Sequence, residues 1–432
     1  MSTGLKDASE RPVERARIES GQSEADACRA ARGLTWFERR VRSIAIGRLN
    51  QLQGGTIHYC DAGGCATLGS QSPAPELSAE WTIRNPDFYR QLAMAGSLGV
   101  AESYLRGDWE TDNLAALLRI LCRNLETLSG TNSGLARAGR WLARAAHWAN
   151  RNTRSGSREN IARHYDLSND FFELFLDPTW MYSSARFDRS EMSLEEASVA
   201  KLDSICLKAD LQPGEHVLEI GTGWGGFALH AVQNYGIRLT TTTISRQQLL
   251  KARERVQTAG ISDRVELLEV DYRDLDGRFD KVVSIEMIEA VGEQFLDDYF
   301  RQCGRLLKPG GRFVLQGIVM PEQRYEAYKR SVDFIQKYIF PGGFLPSVAA
   351  MQDSVGRTSN LRLASIEDLS NDYALTLRHW RQRFFDRLDD VRALGFDDRF
   401  IRMWEYYLCY CEAAFLEQAV GVVQVVWDKP EY

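Results

Sequence analysis

A run of six residues, four of them glycine, stands directly after a short apolar stretch. The stretch His216-Val217-Leu218-Glu219-Ile220 is rich in aliphatic and β-branched residues, which predicts a buried parallel strand. The run that follows is Gly221-Thr222-Gly223-Trp224-Gly225-Gly226. Glycines let the chain turn sharply and bring backbone N–H groups close to a ligand at the start of the next helix. The pattern therefore predicts a nucleoside-binding loop between a strand and a helix.

The segment beyond that helix distinguishes two kinds of nucleoside cofactor. A dinucleotide fold needs Asp or Glu about 20 residues past the glycines to hold the ribose hydroxyls. This chain has Thr241, Thr242 and Thr243 there, within a second predicted strand from Arg238 to Ile244. The sequence therefore favours S-adenosylmethionine over a dinucleotide. Glycines that only tighten a turn are the structural alternative.

Strands and helices alternate along the second half of the chain. The capping-box spacing of Ser245 and Gln248 predicts a helix start after the second strand. Such alternation predicts an α/β fold, a Rossmann-like methyltransferase domain with a mostly parallel sheet and ligands at the carboxyl ends of its strands. The remaining predicted elements are strands Arg264 to Val270, Lys281 to Ile285, Arg312 to Ile318 and Val422 to Trp427, and helices Glu293 to Leu307, ended by Lys308-Pro309-Gly310-Gly311, and Asp397 to about Gln418.

Length, charge and cysteine usage restrict the class of protein. At 432 residues the chain exceeds the roughly 100 to 200 residues of one domain, so two are expected. A net charge of −6 argues against nucleic acid as the main partner. No segment has the ~18 consecutive apolar residues of a membrane span, which favours a cytoplasmic location. The eight cysteines include no CxxC pair, so reduced thiols and no metal site are expected.

Composition divides the chain into four predicted segments. Residues 1–34 are polar and predict a mobile tail, and residues 35–128 predict a small N-terminal α+β accessory domain. Residues 129–158 are basic beside Trp141 and Trp148, which suits a helix in a membrane interface or one packed on a domain. Residues 159–432 form the predicted methyltransferase domain. Its apolar insertion at about 321–369 predicts a lid over a hydrocarbon pocket, or plain packing.

Four longer motifs carry a resemblance to a known family. They are Ile161 to Phe172 (IARHYDLSNDFF), Met181 to Ala185 (MYSSA), Leu218 to Gly225 (LEIGTGWG) and Tyr338 to Gly343 (YIFPGG). With them the chain resembles the cyclopropane fatty acid synthases, which include the mycolic acid cyclopropane synthases, across residues 86–428. The resemblance implies methyl transfer from S-adenosylmethionine to a cis double bond of a phospholipid acyl chain, followed by ring closure with loss of a proton. It also implies a lipid-binding N-terminal domain, peripheral association with the inner face of the cytoplasmic membrane, and a homodimer.

The resemblance also assigns cofactor contacts by position. A sulfonium cation hydrogen bonds poorly, so the aromatic faces of Tyr182, Trp224 and Tyr272 suit it, although each can equally be a core aromatic. The implied cofactor residues are Tyr182, Ser183, Glu219, Gly221, Thr222, Gly223, Trp224, Gly225, Thr243, Ile244, Ser245, Gln248, Tyr272, Arg273 and Ile285.

The implied catalytic residues surround the proton-transfer step. Glu289 matches a family glutamate that helps hold a bicarbonate ion acting as the base, and Tyr373 and Ile318 match two more members of that cage. Cys411 aligns with the family's active-site cysteine. Thiolate nucleophilicity has no task in this chemistry, so Cys411 is expected to line the pocket.

Three positions depart from the family pattern. Ser184 stands where most synthases have Cys, and Gln316 where they have His. Ser and Gln can still hydrogen bond an anion, so both belong to the implied catalytic set, but Gln cannot carry a positive charge or relay a proton as His does. Glu286 stands where many members have a small residue, and it would supply compensating charge near the cavity. These departures put the identity of the base in doubt.

Three other functions therefore stay open beside the cyclopropane-forming reaction. A base placed differently would remove another proton and leave a methylene-branched or methyl-branched chain. Related sequences also include small-molecule N-methyltransferases. A protein that binds S-adenosylmethionine without catalysis is the remaining alternative.

Overall fold

The structure, a computed structural model, describes residues 33–69, 77–129 and 167–432. The predicted tail as far as residue 32 lies outside these ranges. So do the predicted basic linker from residue 130 onward, with Trp141 and Trp148, and the first half of the motif Ile161 to Phe172. Among the described residues, no helix has the length and apolar composition needed to cross a bilayer.

The N-terminal elements form a four-stranded sheet covered by helices. The sheet has the order β2-β1-β3-β4, and β1 pairs parallel with β3 while the other pairs are antiparallel. Helix α1 begins at a capping box, because the side chains of Thr35 and Glu38 each accept from the other's backbone N–H. The elements are α1 Trp36–Leu49, β1 Thr56–Asp61, β2 Gly64–Gly69, β3 Ser78–Ile83, α2 Asp87–Ala95, α3 Ser97–Leu105, β4 Trp109–Glu110, α4 Leu114–Arg123 and α5 Leu125–Ser129.

A disulfide joins Cys60 to Cys65, so the expectation of reduced thiols was wrong at these two positions. The two residues lie directly opposite each other in the β1–β2 hairpin. Facing positions of paired strands bring side chains into contact, a proximity that a search for CxxC spacing does not detect. The free cysteines of the described residues are Cys122, Cys206, Cys303, Cys409 and Cys411.

The C-terminal elements form a seven-stranded sheet with helices on both sides. Three short 3₁₀ turns and one π turn interrupt them, at Tyr272–Asp274, Ile288–Ala290, Glu293–Phe295 and Ile335–Ile339. The elements are α6 Asn169–Glu173, α7 Leu194–Ala209, β5 His216–Ile220, α8 Gly226–Tyr235, β6 Arg238–Thr242, α9 Arg246–Thr258, β7 Val265–Leu268, β8 Phe279–Ile285, α10 Leu296–Leu306, β9 Leu307–Val319, α11 Glu322–Tyr328, α12 Val348–Thr358, β10 Arg362–Asp368, α13 Ser370–Asp386, α14 Leu388–Ala393, α15 Asp398–Leu416 and β11 Gly421–Asp428.

The order of this sheet is β10-β11-β9-β8-β5-β6-β7, with β5 to β9 parallel and β10 and β11 antiparallel at one edge. This confirms the predicted α/β fold with a mostly parallel, Rossmann-like sheet. The chain leaves β5 toward β6 on one side and returns to β8 on the other. Such a reversal opens a crevice outside the carboxyl ends of the strands, where ligands bind in folds of this kind. Gly221 follows β5 and Glu286 follows β8, so both lie at that crevice.

One predicted boundary in this region was wrong. The helix before Lys308-Pro309-Gly310-Gly311 ends at Leu306, one residue before its predicted end, but β9 already begins at Leu307 and runs through this segment to Val319, whereas the strand was predicted to begin at Arg312. The register to β8 shifts between Phe279 and Lys281, and a proline is tolerated at such an irregularity. The insertion at 321–369 also contains a strand, β10, which pairs with β11 at the sheet edge. Most of its side chains are exposed, so it lacks the apolar pattern by which strands are predicted.

One hydrophobic cluster joins the N-terminal and C-terminal elements. It contains Tyr104 and Leu117 from the first region together with Phe171, Trp404 and Tyr406 from the second. Polar contacts cross the same boundary, since the Tyr104 hydroxyl donates to Glu405 at 2.5 Å. The predicted division at residues 128 and 159 therefore separates two segments of sequence whose side chains share a core.

Candidate active site

A cavity of about 1950 Å³ lies between the N-terminal helices and the carboxyl edge of the seven-stranded sheet. Its walls include Leu118 and Leu121 of α4, Phe340 of the insertion, and the glycine loop after β5. Pockets for drug-sized ligands measure ≈ 300–1,000 Å³, so this volume exceeds what a nucleoside cofactor fills. The cavity has room for a cofactor at the sheet and for a second, elongated ligand beside it.

The residues predicted to hold the cofactor converge on the sheet end of this cavity. Gly225 and Ser245 are the two exceptions: Gly225 packs on Ala252, and Ser245 caps α9 by accepting from the Gln248 backbone N–H at 3.3 Å. Those that line the cavity are Tyr182, Ser183, Glu219, Gly221, Thr222, Gly223, Trp224, Thr243, Ile244, Gln248, Tyr272, Arg273 and Ile285.

The glycine loop turns tightly onto the end of β6. The backbone N–H groups of Gly221 and Thr222 both donate to the Thr242 carbonyl at 3.0 Å. Gly221 has φ of +102°, a conformation that favours glycine, and a Cβ there would lie 3.2 Å from the Met287 side chain. The loop backbone thus borders the cavity directly.

Glu219, at the end of β5, lies beneath this loop. Its Oε2 accepts from the Thr241 hydroxyl at 2.6 Å, and Thr241 in turn contacts the Thr222 hydroxyl at 2.7 Å. Burial raises the pKa of Glu219 to about 8. Thr241, in the part of β6 where a dinucleotide fold would have an acidic residue, therefore hydrogen bonds to an acid that is already present on β5.

Aromatic rings enclose the cavity next to the loop. The Tyr182 ring lies 5.1 Å from the Trp380 ring and 6.5 Å from Trp224, and its hydroxyl bonds to that of Tyr407 at 2.9 Å. The Trp224 indole N–H donates to Asn169 at 2.8 Å. Aromatic faces attract cations, so this end suits a sulfonium group.

Two further predicted cofactor residues, Arg273 and Ser183, are held by partners within the protein. The Arg273 guanidinium pairs with Asp271 at 2.6 Å and stacks 5.5 Å from the Tyr272 ring. Ser183 accepts from the ammonium of Lys201 at 2.7 Å. Lys201 is fully buried, and burial lowers its pKa to about 8.

A second carboxyl group faces the cavity beside the predicted Glu289. Glu286 accepts three hydrogen bonds: from the Ser184 backbone N–H at 2.8 Å, from the Gln316 amide at 2.8 Å, and from the Tyr373 hydroxyl at 2.7 Å. Glu289 accepts from the Ile318 backbone N–H at 2.5 Å. Four residues predicted to surround an anion therefore donate to carboxylates of the chain.

Ser184 and Gln316 lie behind Glu286 and do not line the cavity. Both are fully buried. The Gln316 side-chain oxygen accepts from the Gln424 amide at 2.9 Å, and Gln424 accepts from Ser204 at 3.1 Å. This chain of hydrogen bonds orients the Gln316 amide so that its N–H group points at Glu286. Both residues position Glu286, whereas the sequence placed them in direct contact with an anion.

The surroundings of Glu286 and Glu289 favour different protonation states for the two carboxyl groups. Burial raises the pKa of Glu286, and its three donors oppose that rise. Burial, and then repulsion from Glu286, raise the pKa of Glu289 to about 8. The Oε2 atom of Glu289 is inaccessible and has no hydrogen-bond partner among the described residues. Since donors stabilise an ionised carboxylate, we assign the negative charge to Glu286 and a protonated, neutral carboxyl group to Glu289.

The remaining predicted residues, Ile318 and Cys411, also line the cavity. Burial raises the pKa of the Cys411 thiol, which keeps it neutral. A neutral thiol fits the predicted lining role. Sequence reasoning noted Glu286 without placing it in the catalytic set. The sequence signal for its role was its position: Glu286 directly follows β8 and stands three residues before Glu289.

The residues present fit S-adenosylmethionine. A glycine loop borders the cavity, aromatic rings enclose a site for a cation, and a buried acid lies beneath the loop. Together with the parallel sheet and its crevice, they define an S-adenosylmethionine-dependent methyltransferase.

Comparison with known proteins narrows this class. The family model for mycolic acid cyclopropane synthetase matches residues 152–425. The tuberculostearic acid methyltransferase UfaA1 of Mycobacterium tuberculosis (strain ATCC 25618 / H37Rv) is 41% identical over 374 residues, which cover 84% of this chain and 85% of the relative. The cyclopropane-fatty-acyl-phospholipid synthase of Escherichia coli (strain K12) is 36% identical over 354 residues, which cover 81% of this chain and 88% of the relative.

A solved structure agrees with these relatives. The mycolic acid cyclopropane synthase CmaA1 complexed with SAH and CTAB aligns with a TM-score of 0.60 and 31% identity, covering 63% of this chain and 98% of that chain. This chain belongs to the mycolic acid cyclopropane synthetase family. It is an enzyme that transfers a one-carbon group from S-adenosylmethionine to lipid acyl chains.

Proposed function

We propose that the enzyme methylates the cis double bond of an unsaturated phospholipid acyl chain and closes a cyclopropane ring. The observation that supports this most is one continuous cavity with a cofactor loop at one end, apolar helices at the other, and buried carboxyl groups on its wall. The phospholipid substrate is also suggested by the Escherichia coli relative, whose name specifies a fatty-acyl-phospholipid.

The reaction depends on aligning the alkene with the methyl donor and on excluding water, more than on activating a nucleophile. S-adenosylmethionine supplies an electrophilic methyl group on a sulfonium. The π electrons of the alkene form the new carbon–carbon bond, and the electron pair of the broken sulfur–carbon bond stays on sulfur. A carbocation remains on the neighbouring carbon. An alkene is a weak nucleophile, so the enzyme must hold it in line with the methyl group and exclude water.

The walls of the cavity suit such a substrate. Apolar side chains come from α1, α4, α5 and the insertion, so an acyl chain would meet hydrocarbon along its length. Beyond the carboxyl pair the lining is dominated by aromatic and aliphatic groups. Those between the N-terminal helices and the reacting centre include Val41, Leu92, Leu118, Leu121, Leu128, Ile335, Phe340 and Phe415.

Helix α1 lies at the entrance of the cavity and suits a phospholipid surface. Phe37 and Ile44 line the cavity and are also exposed, by 37% and 51%. Trp36 is 73% exposed on the same helix, and the exposed Arg40 also lines the entrance. Apolar residues beside arginines bind the interface of an anionic bilayer. A headgroup phosphate at Arg40 would leave the acyl chain free to enter the cavity.

Lipid analysis tests the proposed reaction. Purified enzyme is incubated with vesicles of a dioleoyl phospholipid and methyl-labelled S-adenosylmethionine, and the acyl chains are examined by mass spectrometry and proton NMR. We expect a mass gain of one methylene and upfield cyclopropane protons. Gly221→Val, which forces a side chain into the glycine loop, is the inactive control. Absence of label in any lipid would refute the proposed function.

A second product is supported by a specific observation. The relative UfaA1 is named a methyltransferase for tuberculostearic acid, and this chain is 41% identical to it. A 1,2-hydride shift would move the carbocation to the methyl-bearing carbon, and loss of a proton from the methyl group would then give a methylene branch. Loss of a proton from a chain carbon without that shift would give an internal alkene. Signals of a methylene branch without upfield ring protons in the same NMR experiment would establish this product and exclude the ring.

Vesicle co-sedimentation tests the proposed membrane surface. Replacing Trp36 and Ile44 together by Ser should reduce binding to anionic vesicles severalfold. Leu207→Ser is the matched control, because Leu207 is 69% exposed on α7 and lies outside the cavity. Equal loss of binding in both variants would contradict the assignment of α1. The homodimer implied by the family resemblance stays a prediction, and light scattering of the purified chain measures it.

A further inference from the structure

The carboxylate of Glu286 fills the place where the family resemblance puts a bicarbonate ion. The donors expected to hold that ion are those at positions 184, 316 and 373. Each of the three already donates to a Glu286 oxygen at 2.7 to 2.8 Å. A bicarbonate in the same position would compete with the side chain for these three donors, and the N–H group of Ile318, another expected member of the cage, already donates to Glu289. The residues present therefore do not fit the ion.

We infer that Glu286 is the base of this enzyme, a built-in carboxylate that accepts the proton released after methyl transfer. This rests on the proposed function. The Glu286 side chain lines the cavity together with its donor Tyr373, while its other two donors, Ser184 and Gln316, do not reach the cavity, so the carboxylate is open to the substrate on one side.

Backbone geometry supports a functional reason for this side chain. Glu286 has φ of +48°, and it directly follows β8. A residue other than glycine is strained in such a region, and strained residues concentrate at functional sites. Glycine would remove the strain, yet the chain places a glutamate there. Its hydrogen bonds, together with attraction to the buried ammonium of Lys201, hold the carboxylate in position.

The proton released in the reaction passes from the substrate to Glu286. The carbocation loses a proton from the new methyl group, and the electrons of that C–H bond form the third side of the ring. If the proton comes from a chain carbon, the same electrons form an alkene. In both cases Glu286 passes from carboxylate to carboxylic acid. It returns that proton to water after the product leaves.

The test compares wild type with Glu286→Gly in buffer stripped of bicarbonate. Glycine adopts the local backbone without strain and opens a space for a small anion. General bases contribute typically 10²–10⁴-fold, so the variant should lose at least about 100-fold in kcat. Formate or bicarbonate at tens of millimolar should restore part of it, whereas chloride should not. Wild-type turnover should be the same with and without bicarbonate.

Binding gives a readout that does not depend on turnover. With S-adenosylhomocysteine present, carbon-13 NMR of labelled bicarbonate should show a bound signal for Glu286→Gly and none for wild type. Calorimetry should show unchanged affinity for S-adenosylhomocysteine in the variant, which confirms that it is folded.

Four outcomes overturn the inference: a wild type that requires bicarbonate, a wild type that binds it, a Glu286→Gly variant active at the wild-type rate in stripped buffer, and a folded variant that no anion restores. Dependence of the wild type on bicarbonate is decisive even if the variant does not fold. A wild type that labels no lipid refutes the proposed function instead, and the NMR comparison still decides whether Glu286 occupies the anion position.

Discussion

The hydroxyl of Tyr373 controls when Glu286 is ionised, and removing it makes a quantitative prediction. The Tyr373 hydroxyl donates to Glu286 Oε2 at 2.7 Å. A donor to a carboxylate lowers its pKa because it stabilises the charged form, so Tyr373→Phe should raise the pKa of Glu286 further. A hydrogen bond to a charged group contributes ≈ 1.5–3 kcal/mol, and one pKa unit corresponds to 1.36 kcal/mol. The acid limb of the pH–rate profile should therefore move up by about 1 to 2 units.

The sign follows from which form is active. Turnover needs ionised Glu286, so activity is present above its pKa in the folded enzyme and is lost as the pH falls through that value. The variant should lose activity at a higher pH than wild type does. Phenylalanine keeps the stacking of this ring on Phe415, whose centroid lies 4.5 Å away. Packing should thus be preserved.

The assay is kcat/KM for labelled methyl transfer to vesicles, measured across the pH range for both enzymes. Tyr299→Phe is the matched control, because Tyr299 is a fully buried tyrosine in a different hydrophobic cluster. Tyr299→Phe should not change the pH at which the acid limb of the pH–rate profile lies. An unmoved limb in Tyr373→Phe, with the variant folded, would show that the reacting base is not the carboxylate that Tyr373 holds.

Three further predictions address the second carboxyl group, the core and the thiols. Glu289→Gln keeps a neutral side chain at the protonated position, so kcat should stay within about tenfold of wild type, a barrier change below ~1.4 kcal/mol; a loss of several orders of magnitude would place the working charge on Glu289. Glu412, which is 1% exposed, accepts from Arg378 and Arg381 at 3.0 Å. Removing one partner of a buried pair costs 3–5 kcal/mol, and because these arginines keep some contact with solvent, Glu412→Gln should lower the free energy of unfolding by about 2 kcal/mol in urea titrations. Cys60→Ser should raise the number of thiols titrated in denatured, unreduced protein by one, because it releases Cys65 from the disulfide, whereas a count lower by one would show that the two cysteines are reduced in the wild type.

Local patterns predicted the elements around the glycine loop. A strand, a glycine turn and a helix start are all specified by neighbouring residues, so Gly221 after β5 and the threonines at the end of β6 could be placed without coordinates. The edge strand β10 could not, because its side chains are exposed and an exposed strand has no apolar periodicity. The start of β9 at Leu307 could not be predicted either, because the register shift that accommodates Pro309 depends on pairing with β8.

The catalytic half depended on contacts distant in sequence. Ser184, Gln316 and Tyr373 approach Glu286 from a loop, from β9 and from α13, and nothing in the spacing of these positions shows that they share one acceptor. The same holds for Gln424, which reaches Gln316 only because β9 and β11 are paired. The roles of Ser184, Gln316 and Tyr373 therefore follow from their hydrogen-bond partners more than from their residue types.

The cluster that joins Tyr104 and Leu117 to Trp404 and Tyr406 limits where this enzyme can be truncated. The solved CmaA1 chain corresponds to 63% of this one, yet cutting this protein back to that length would strip α15 of its cover and leave aromatic surface facing water. Arg119 and Arg123, which both bond to Glu417, would be lost with it. Heating should melt the two halves together in a single transition, and a fragment from residue 167 onward should aggregate.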